Sequence, residues 1–494
     1  MINLHKYLGI DVGTTAVKAL VVSEKGELID SYSKGLEMNV PKAGWAEQDP
    51  KNWWEKVYEI LLEVSKKHEI SVIGFSGQMH SLVTLDKEYN EIRPAILWND
   101  QRTSPQCKKA TDMLNGEKNV IAKIGNPFLE GFTFPKILWI KENEPENFSR
   151  IRKILLPKDY IIFKLTGNIG IDYSDASGTA CLNIKTNYWD EEILAKFEID
   201  IDIMPELYGS YEIRGELKEN LKRELGWKNV KIVSGGADNA SASFGIGVSK
   251  IGESMVSIGT SGTVLTITEK KQPDLSGKIH YFNHVMYGEQ YYMGVMLSAA
   301  HSLNWVKNKF FPTSDWEEIE SRVNQSVLGS NGIIFLPYLN GERTPHRDPN
   351  ARGVFFGISS LNTENDILRA TMEGITFGLR DSFELIKEKT DIEDIRIVGG
   401  GAKNKTWAKI IATNFNMPIK VPQIDEGGAY GAAMLAALGD NQQLEDVLGW
   451  IKFKEIIEPD NNKKTIYDKY YDLHKKLYNS LKEDFKILAQ IQDL

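Results

Sequence analysis

Two segments of this 494-residue chain follow the same plan of strand, glycine-threonine turn and strand. The first is GIDVGTTAVK, residues 9–18, inside an alternating stretch that predicts a three-stranded meander over residues 7–33. The second is ESMVSIGTSGTVLTIT, residues 253–268. A repeated hairpin of this kind predicts two domains of related design, and the chain is long enough for each domain to bury its own core. We place the boundary at Val248, which gives domains of residues 1–248 and 249–494.

Between these hairpins and after them, apolar strands run into glycine-rich or polar loops and alternate with helical patterns, which predicts an α/β fold. A helix start at Asp49 and Pro50 precedes an amphipathic segment with Trp53 on its apolar face. Residues 231–247 and 395–415 each give a strand, a glycine turn and a helix. Long helices are predicted near residues 365–390 and after Pro459. Since no low-complexity linker separates the halves, we expect their interface to be packed and to act as a hinge.

Composition excludes several classes of function. Apolar residues make up 41% and charged residues 26%, close to the globular average, and no apolar stretch is long enough to cross a bilayer. A net charge of −9 without a basic block argues against nucleic-acid and membrane-surface partners. The N-terminal residues do not resemble a secretion signal, and Cys107 and Cys181 are the only cysteines, so we expect a reducing cytoplasm. The oligomeric state is not determined, and a homodimer stays open.

The turns of the two hairpins are suited to phosphate. Glycine and hydroxyl residues leave backbone N–H groups free to point at phosphate oxygens, while Asp11 can hold Mg²⁺ directly or through water. Lys18 is a further candidate for a phosphate contact. One such turn is equally typical of an ordinary hairpin, but two in successive halves favour a nucleotide held between two domains. A third glycine turn, IVGGGAKN at residues 397–404, would let the backbone approach an adenosine closely.

The segment GGADN places the carboxylate of Asp238 at the end of a strand, where a helix begins. Asp is a common helix N-cap residue, so a structural role explains this position. A general base explains it equally well, because phosphoryl transfer to a hydroxyl needs an acceptor for the hydroxyl proton. Together, Asp238 and Asn239 could also bind two hydroxyls of a polyol. The spacing of these residues alone leaves the alternatives open.

A set of motifs in a fixed order spans nearly the whole chain: GIDVGTT, GFSGQMHS, AILWNDQRT, LLPKDYIIFKLTG, DYSDASGT, GGADNA, SIGTSG, FLPYLNGERTPHRDPNARG and GGGAKN. The set resembles the FGGY carbohydrate kinases, and within them most closely the kinases of xylulose. The resemblance implies two actin-like ATPase domains of ribonuclease H-like type, with ATP and a sugar in the catalytic cleft between the domains. It also implies that the cleft closes when the ligands bind.

The resemblance further implies roles for individual residues. Asp238 would be the catalytic proton acceptor, and Asp11 would lie beside Mg²⁺. The sugar would bind to Met79, His80, Asp238, Asn239 and Arg102. The residues matching the ATP-binding motifs are Gly13, Thr14, Thr15, Lys18, Thr260, Ser261, Gly262, Ala300, Asn304, Gly400, Gly401, Ala402 and Asn404. Surface ion pairs would explain Arg102, Glu342 and Arg343 as well as a role in binding would.

The expected reaction is the phosphorylation of D-xylulose by ATP to D-xylulose 5-phosphate. Two departures bear on the sugar: xylulose kinases more often have glycine where this chain has Ser81 and Ala237, and Ser81 resembles gluconate kinases. Kinases of gluconate, ribulose or a related pentulose or pentitol are therefore the alternatives. Because the carboxylate of gluconate would be costly to bury unpaired beside Asp238, we expect the pocket to favour an uncharged sugar.

Two other classes of protein are weaker alternatives. A non-catalytic ATP-binding switch of the actin fold would share the hairpins but would not need the sugar motifs GQMHS and GGADN. About 35 residues follow Pro459, too few for an appended peptide-binding domain of typical size. A sugar-sensing regulator would carry a DNA-binding module, and the sequence has no helix-turn-helix extension or basic patch.

Overall fold

A computed structural model describes residues 5–269 and 272–492 of the protein. The chain forms two seven-stranded sheets, one in each half, with helices packed on them. Among the described residues, no helix is both long enough and apolar enough to cross a membrane.

From residue 5 onward, the described part of the first half contains fifteen strands and ten α-helices. The strands are β1 (Lys6–Val12), β2 (Ala16–Ser23), β3 (Leu28–Gly35), β4 (Glu47–Gln48), β5 (Val72–Gly77), β6 (Val83–Leu85), β7 (Ala95–Ile96), β8 (Lys153–Leu155), β9 (Gly170–Asp172), β10 (Leu182–Asn183), β11 (Tyr188–Trp189), β12 (Glu206–Tyr208), β13 (Ile213–Glu216), β14 (Lys231–Val233) and β15 (Gly236–Ala237). The helices are α1 (Pro50–Ser65), α2 (Ser104–Met113), α3 (Glu117–Ile124), α4 (Thr133–Asn143), α5 (Pro145–Arg150), α6 (Pro157–Thr166), α7 (Tyr173–Gly178), α8 (Glu191–Lys196), α9 (Glu219–Leu225) and α10 (Asp238–Gly245), with a 3-10 turn at Ile201–Ile203.

The described part of the second half contains nine strands and seven α-helices. The strands are β16 (Glu253–Ile258), β17 (Gly262–Thr268), β18 (His280–Asn283), β19 (Gln290–Met296), β20 (Ile334–Leu336), β21 (Val354–Phe356), β22 (Asp394–Val398), β23 (Ile419–Pro422) and β24 (Phe453–Ile457). The helices are α11 (Ala300–Phe310), α12 (Trp316–Gln325), α13 (Glu364–Lys387), α14 (Lys405–Phe415), α15 (Gly428–Gly439), α16 (Leu444–Leu448) and α17 (Asn461–Gln492), with 3-10 turns at Ser330–Gly332 and Gly400–Lys403.

The two main sheets repeat one pattern of strand directions. In the first sheet the order is β13-β14-β5-β1-β2-β3, and β15 also pairs with β5. β1 is antiparallel to β2 and parallel to β5, which is parallel to β14. In the second sheet the order is β18-β19-β17-β16-β22-β23-β24, and β16 is antiparallel to β17 and parallel to β22. The related design of the halves, predicted from the repeated hairpin, is confirmed.

Most local predictions are confirmed as well. The meander over residues 7–33 is β1, β2 and β3, with Gly26 at its second turn at a φ of 82°. Helix α1 has Asp49 as its N-cap and buries Trp53 on its apolar face. The predicted long helices are α13 and α17. Local periodicity and cap residues were therefore sufficient to predict the elements that frame the site.

Helix α15 joins the halves. It follows the second sheet's strand β23 in sequence but packs on the first sheet, against β1, β5 and α10. Its Ala429 and Ala433 share one hydrophobic cluster with Tyr7 of β1. The interface is packed, as expected, while hinge motion stays a prediction.

Glycines in the first sheet allow the backbone of α15 to come close. A Cβ atom on Gly9 would lie 2.0 Å from the carbonyl oxygen of Ala429, and one on Gly74 would lie 1.9 Å from that of Ala432. Both separations are well inside van der Waals contact. Alanine at either position would therefore push the helix away from the sheet.

We expect Gly74→Ala to lower the free energy of unfolding by about 1–3 kcal/mol or more, because overpacking at a backbone contact has no flexible side chain to relax it. Urea unfolding followed by circular dichroism measures the change.

Gly35→Ala is the matched control, since it adds a methyl group to β3 with no heavy atom within 4 Å of the new Cβ. It should leave the unfolding free energy within about 0.5 kcal/mol of the parent. Equal unfolding midpoints for the two variants would contradict the close packing of α15.

Candidate active site

The register of three parallel strands brings the candidate residues together. Asp11 of β1 pairs with Ser76 of β5, and Gly236 of β15 pairs with the other side of Ser76. Parallel strands end at the same edge of a sheet, so the loop that carries His80 and the helix that begins at Asp238 both start beside Asp11.

A cavity of about 290 Å³ opens at this edge. It includes four of the five residues expected to bind the sugar. Its walls come from both halves of the chain: Met79, His80, Trp98, Leu129, Gly131, Phe132, Asp238, Asn239, Ser257, Gly259, Ser261, Thr263, His280, Phe282, Met293, Val295 and Arg343.

Asp238 is the first residue of α10, and the N-cap residue of that helix is Ala237. The N-cap explanation of Asp238 is therefore wrong by one position. Its Oδ1 accepts hydrogen bonds from the backbone N–H of Asn239 at 2.6 Å and from that residue's Nδ2 at 2.8 Å. Burial, with a further contribution from the charge of Asp11, raises the pKa of Asp238 to about 7. A carboxyl group with this pKa can accept a proton near neutral pH.

One oxygen of the Asp11 carboxylate is available to a ligand. This oxygen, Oδ1, is buried and accepts no hydrogen bond from the described residues, and a Cβ on Gly428 at the start of α15 would lie 3.2 Å from it. Burial raises the pKa of Asp11, against the effects of Ser76 and Lys18. An unpaired carboxylate oxygen fits a hard divalent cation such as Mg²⁺. Within residues 5–269 and 272–492 no group of three or more His, Cys, Asp or Glu side chains could hold a metal.

His80 lines the cavity as a neutral imidazole. It has a positive φ of 66°, which is uncommon for a residue other than glycine. Its Nδ1 lies 2.6 Å from the carbonyl oxygen of Gly178, and since a carbonyl only accepts, Nδ1 carries the hydrogen. Burial lowers the pKa of His80 to about 3, so the ring is neutral and Nε2 is an acceptor. A sugar hydroxyl is a suitable donor for it.

The opposite wall belongs to the second half and was not predicted. His280 and Phe282 lie on one face of β18, while Met293 and Val295 lie on one face of β19, with His280 paired to Met293. These residues recur at every second position, which is the spacing of a strand face. That alternation was the available signal, but it does not show which cavity the face borders.

Of the two candidate arginines, the structure places Arg343, and not Arg102, at the cavity. Arg102 was expected to bind the sugar, but it is buried elsewhere, with its guanidinium 2.7 Å from Asp100, 2.8 Å from Glu47 and stacked 3.7 Å above the ring of Trp45. It is not among the described residues that line the cavity. Its carboxylate partners already satisfy its charge, although these pairs are buried and not at the surface.

Arg343 lines the cavity instead. Its guanidinium makes no ion pair or hydrogen bond with the part of the chain that the structure describes. Burial lowers its pKa, with Glu130 and Glu342 acting in the opposite direction. Glu342 does not line the cavity: its Oε1 accepts the backbone N–H groups of Leu297 at 2.9 Å and Arg343 at 2.7 Å. Glu342 thus holds the loop that carries Arg343, and Arg343 is the one Lys or Arg side chain among the described residues that line the cavity.

Ser81 and Ala237, the two departures from the usual pattern, are both buried and outside the cavity lining. The hydroxyl of Ser81 donates to Oε1 of Gln78 at 3.0 Å and accepts the backbone N–H of Trp98 at 3.1 Å. Ser81 therefore does not narrow the pocket directly. It supports Trp98, which does line it.

The first hairpin is tied to the sugar side of the site. The hydroxyl of Thr14 donates to Gln78 at 3.3 Å and accepts from Nε1 of Trp98 at 2.9 Å. Gly13 and Thr15 lie with it in the turn between β1 and β2. Lys18 is paired across β1 and β2 with Asp11 and forms an ion pair with Glu426 of the second half.

The residues predicted to bind ATP in the second half adjoin one another. The turn Gly259–Ser261 accepts hydrogen bonds from the start of α11, with the N–H of Ala300 2.9 Å from the carbonyl oxygen of Gly259. β22 runs parallel to β16, and a Cβ on Gly401 would lie 2.4 Å from Ile258. The second hairpin, with Thr260 and Gly262, is therefore a neighbour of the third glycine turn.

Two asparagines flank this group. Asn404 is the N-cap of α14, where its Oδ1 accepts the N–H of Trp407 at 2.8 Å. Asn304 is exposed on α11, one turn after Ala300. Gly400 and Ala402 lie in the 3-10 turn before Asn404. The structure thus collects the predicted nucleotide residues of the second half around one surface.

Residues 6–245 match the N-terminal domain of the FGGY family of carbohydrate kinases, and residues 254–439 match its C-terminal domain. The chain belongs to the FGGY carbohydrate kinases. It has the two-domain α/β fold of that family, as the resemblance implied, and is a kinase that uses ATP. A xylulose kinase of Staphylococcus xylosus is 40% identical over 480 residues, which are 96% of this chain and 99% of that protein.

Two solved structures from Lactobacillus acidophilus are equally similar in fold. A ligand-bound xylulose kinase and a gluconate kinase each superpose with a TM-score of 0.93 at 30% identity, over 98% of this chain and 100% of theirs. The fold therefore does not distinguish a ketose from an aldonate as the substrate.

The raised pKa of Asp238 predicts a pH dependence. A proton acceptor must be ionised, so kcat/KM for the sugar should be constant above about pH 8 and fall as pH decreases through about 7, approaching tenfold per unit below it. A coupled assay of ADP release measures this profile.

Circular dichroism across the same pH range serves as the control, because it separates loss of ionisation from unfolding. A kcat/KM that stays level from pH 8 to pH 5.5 would contradict a base with this pKa.

Proposed function

We propose that this kinase transfers the γ-phosphoryl group of ATP to the C5 hydroxyl of D-xylulose, giving D-xylulose 5-phosphate and ADP. The observation that carries the proposal is the pairing of Asp238 with neutral polar groups, His80 and Asn239, in one cavity. The relatives named xylulose kinase, at 40% identity over nearly the whole chain, support the same substrate.

In the proposed reaction the sugar lies between Met79 and His80 on one side and Asp238 and Asn239 on the other. Nε2 of His80 accepts a hydrogen bond from one hydroxyl, and the amide of Asn239 binds another. The C5 oxygen forms the new bond to phosphorus, the bond from phosphorus to the leaving oxygen of ADP breaks, and the hydroxyl proton moves to Asp238. Asp11 would hold Mg²⁺, which when bound neutralises charge on the phosphate oxygens.

We divide the roles between two domains at Val248. The first domain supplies the base, the carboxylate near Mg²⁺ and most sugar contacts. The second supplies the adenosine turn around Gly400, Gly401, Ala402 and Asn404, and a phosphate turn at Thr260, Ser261 and Gly262, with Ala300 and Asn304 nearby. In the first hairpin, Gly13, Thr14 and Thr15 face the phosphates, and Lys18 exchanges Glu426 for a phosphate oxygen. Cys107 and Cys181 are buried and unpaired, which fits the cytoplasm we expect as its compartment.

Gluconate is the second candidate substrate, because one observation favours it. We predicted an uncharged sugar on the ground that a carboxylate would be buried without a partner. Arg343 supplies that partner within the cavity, and a guanidinium can bind a carboxylate through two hydrogen bonds.

The substrate is decided by kcat/KM values for D-xylulose, D-ribulose, pentitols and gluconate in one ADP-release assay. We expect D-xylulose to exceed its C3 epimer D-ribulose by roughly tenfold or more, since a misplaced hydroxyl leaves buried hydrogen-bond partners unsatisfied. Gluconate as the best substrate would end the xylulose assignment and leave the wider kinase assignment in place.

The role of Asp238 is tested by Asp238→Asn, which keeps the shape of the side chain but removes the proton acceptor. Turnover should fall by roughly 10²- to 10⁴-fold while ATP binding, measured by calorimetry, persists.

Asp381→Asn is the matched control. Asp381 is another buried carboxyl group whose pKa burial raises to about 7, but it lies on α13 and hydrogen-bonds to Tyr471. Its replacement should leave turnover within about threefold of the parent, because we expect it to change only the stability of the protein, and only modestly. Near-normal turnover in Asp238→Asn would remove Asp238 from the mechanism.

A further inference from the structure

A cluster of fully buried charges lies behind the candidate active site and takes no part in the chemistry described above. Nζ of Lys158 in α6 lies 2.9 Å from Oδ1 of Asp159, 2.8 Å from Oδ1 of Asp172 and 3.0 Å from Oδ2 of Asp175. Arg214 lies 3.3 Å from Asp159. The side chains of all five residues are 0% exposed.

Burying charged side chains costs free energy, so a buried ion pair is by itself weak evidence that the pair stabilises the fold. Two cations face three carboxyl groups. Burial raises the pKa of Asp175 well above its usual range, so a proton on that residue leaves the cluster neutral. A neutral, closely bonded cluster is rigid, because moving any one member exposes an uncompensated charge to an apolar interior.

One chain of hydrogen bonds leads from this cluster to the residue before Asp238. Oδ2 of Asp172 accepts the backbone N–H of Ser174 at 2.9 Å and the hydroxyl hydrogen of the same residue. The hydroxyl oxygen of Ser174 in turn accepts the backbone N–H of Ala237 at 2.9 Å. Because Ala237 is the N-cap residue of α10, this last bond holds the peptide unit between Gly236 and Ala237, which directly precedes the one that carries Asp238.

Two further contacts hold the preceding residues of the same turn. The N–H of Gly235 donates to the carbonyl oxygen of Ser210 at 2.7 Å, and the hydroxyl of Ser210 donates to Asp172 at 3.0 Å. The guanidinium of Arg214 donates to the hydroxyl of Ser234 at 3.1 Å. The cluster thus reaches the turn at three residues within four positions of Asp238: Ser234 directly through Arg214, Gly235 through Ser210, and Ala237 through Ser174.

We propose that Ser174 is a positioning residue for Asp238, transmitting the fixed geometry of the Lys158–Asp172 pair to the turn that carries the base. Ser174 touches neither substrate; it acts through the N–H of Ala237. The inference rests on the proposed role of Asp238. The proposal gives the buried charge cluster a function in turnover, which would account for a set of charges whose burial costs free energy.

Ser174→Ala tests the proposal, because it removes the acceptor of the Ala237 N–H and leaves the charges intact. We expect kcat to fall about 10- to 100-fold, because a reacting group displaced by up to about 1 Å reacts more slowly by this order. The KM values for sugar and ATP should stay within about threefold of those of the parent. The acidic limb of the pH profile should also move, since the surroundings of Asp238 change.

Ser177→Ala is the matched control. Ser177 is buried on the same helix, and its hydroxyl accepts the backbone N–H of Asn283 at 3.0 Å, so its loss also strands a buried donor. Its hydroxyl also donates to the backbone carbonyl oxygen of Ser174 at 2.7 Å, but within the described part of the chain it makes no hydrogen bond to the turn before Asp238. A similar loss of thermal stability with kcat within about threefold of the parent is the expected result.

Ser174→Cys is a near-isosteric second variant in case the alanine variant folds poorly. Sulfur is a weak acceptor, so kcat should lie between that of the parent and that of Ser174→Ala. Unchanged kcat in this folded variant would overturn the proposal.

The double variant Asp238→Asn/Ser174→Ala separates this proposal from the proposed function. If Ser174 acts through Asp238, the double variant should have the same turnover as Asp238→Asn alone. If instead the fold losses of turnover of the two single variants multiply in the double variant, the positioning role is overturned while Asp238 remains the base. Near-normal turnover in Asp238→Asn alone would instead overturn the proposed function, and the role of Ser174 with it.

Discussion

The parallel pairing of β15, β5 and β1 is the constraint on which the rest of the site depends. It aligns Gly236, Ser76 and Asp11 in one row, so that the loop carrying His80 and the helix starting at Asp238 leave the sheet at the same edge. The same strands carry the glycines that admit α15 from the second half. The same strands therefore place the candidate site residues and form the contact with α15 that connects the two halves.

The electrostatics of the cavity follow from this arrangement. Burial keeps His80 and His280 neutral, because there is too little water or opposite charge to stabilise an imidazolium. Asp238, the proposed base, has its pKa raised to about 7, and Arg343 is the one cation that lines the cavity among the described residues. The cavity can therefore bind a polyol through neutral acceptors, while Arg343 decides how well it tolerates a negative end group.

Local features of the sequence were sufficient to predict both hairpins, helix α1 with its Asp49 cap, and the strand, turn and helix around Asp238, because periodicity and caps act within a few residues. The arginines were not predictable in this way. Arg102 pairs with Asp100 nearby but also contacts Glu47 and Trp45 of another segment. The guanidinium of Arg343, on the loop that Glu342 holds, makes no ion pair or hydrogen bond with any described residue. The wall of β18 and β19 shows a clear alternation, but which cavity it borders depends on how the two halves meet.

The most direct measurement of the central claim, that the strand register makes Asp238 a base near neutrality, is ¹³C NMR titration of protein labelled at the aspartate carboxyl carbons. The resonances of Asp238 and Asp381 should both titrate near pH 7, and the one that is missing from Asp238→Asn belongs to Asp238. In Asp11→Asn the same resonance should titrate at lower pH, because a neighbouring negative charge is gone. If the signal lost in Asp238→Asn titrates below pH 5, or does not respond to Asp11→Asn, the central claim is contradicted.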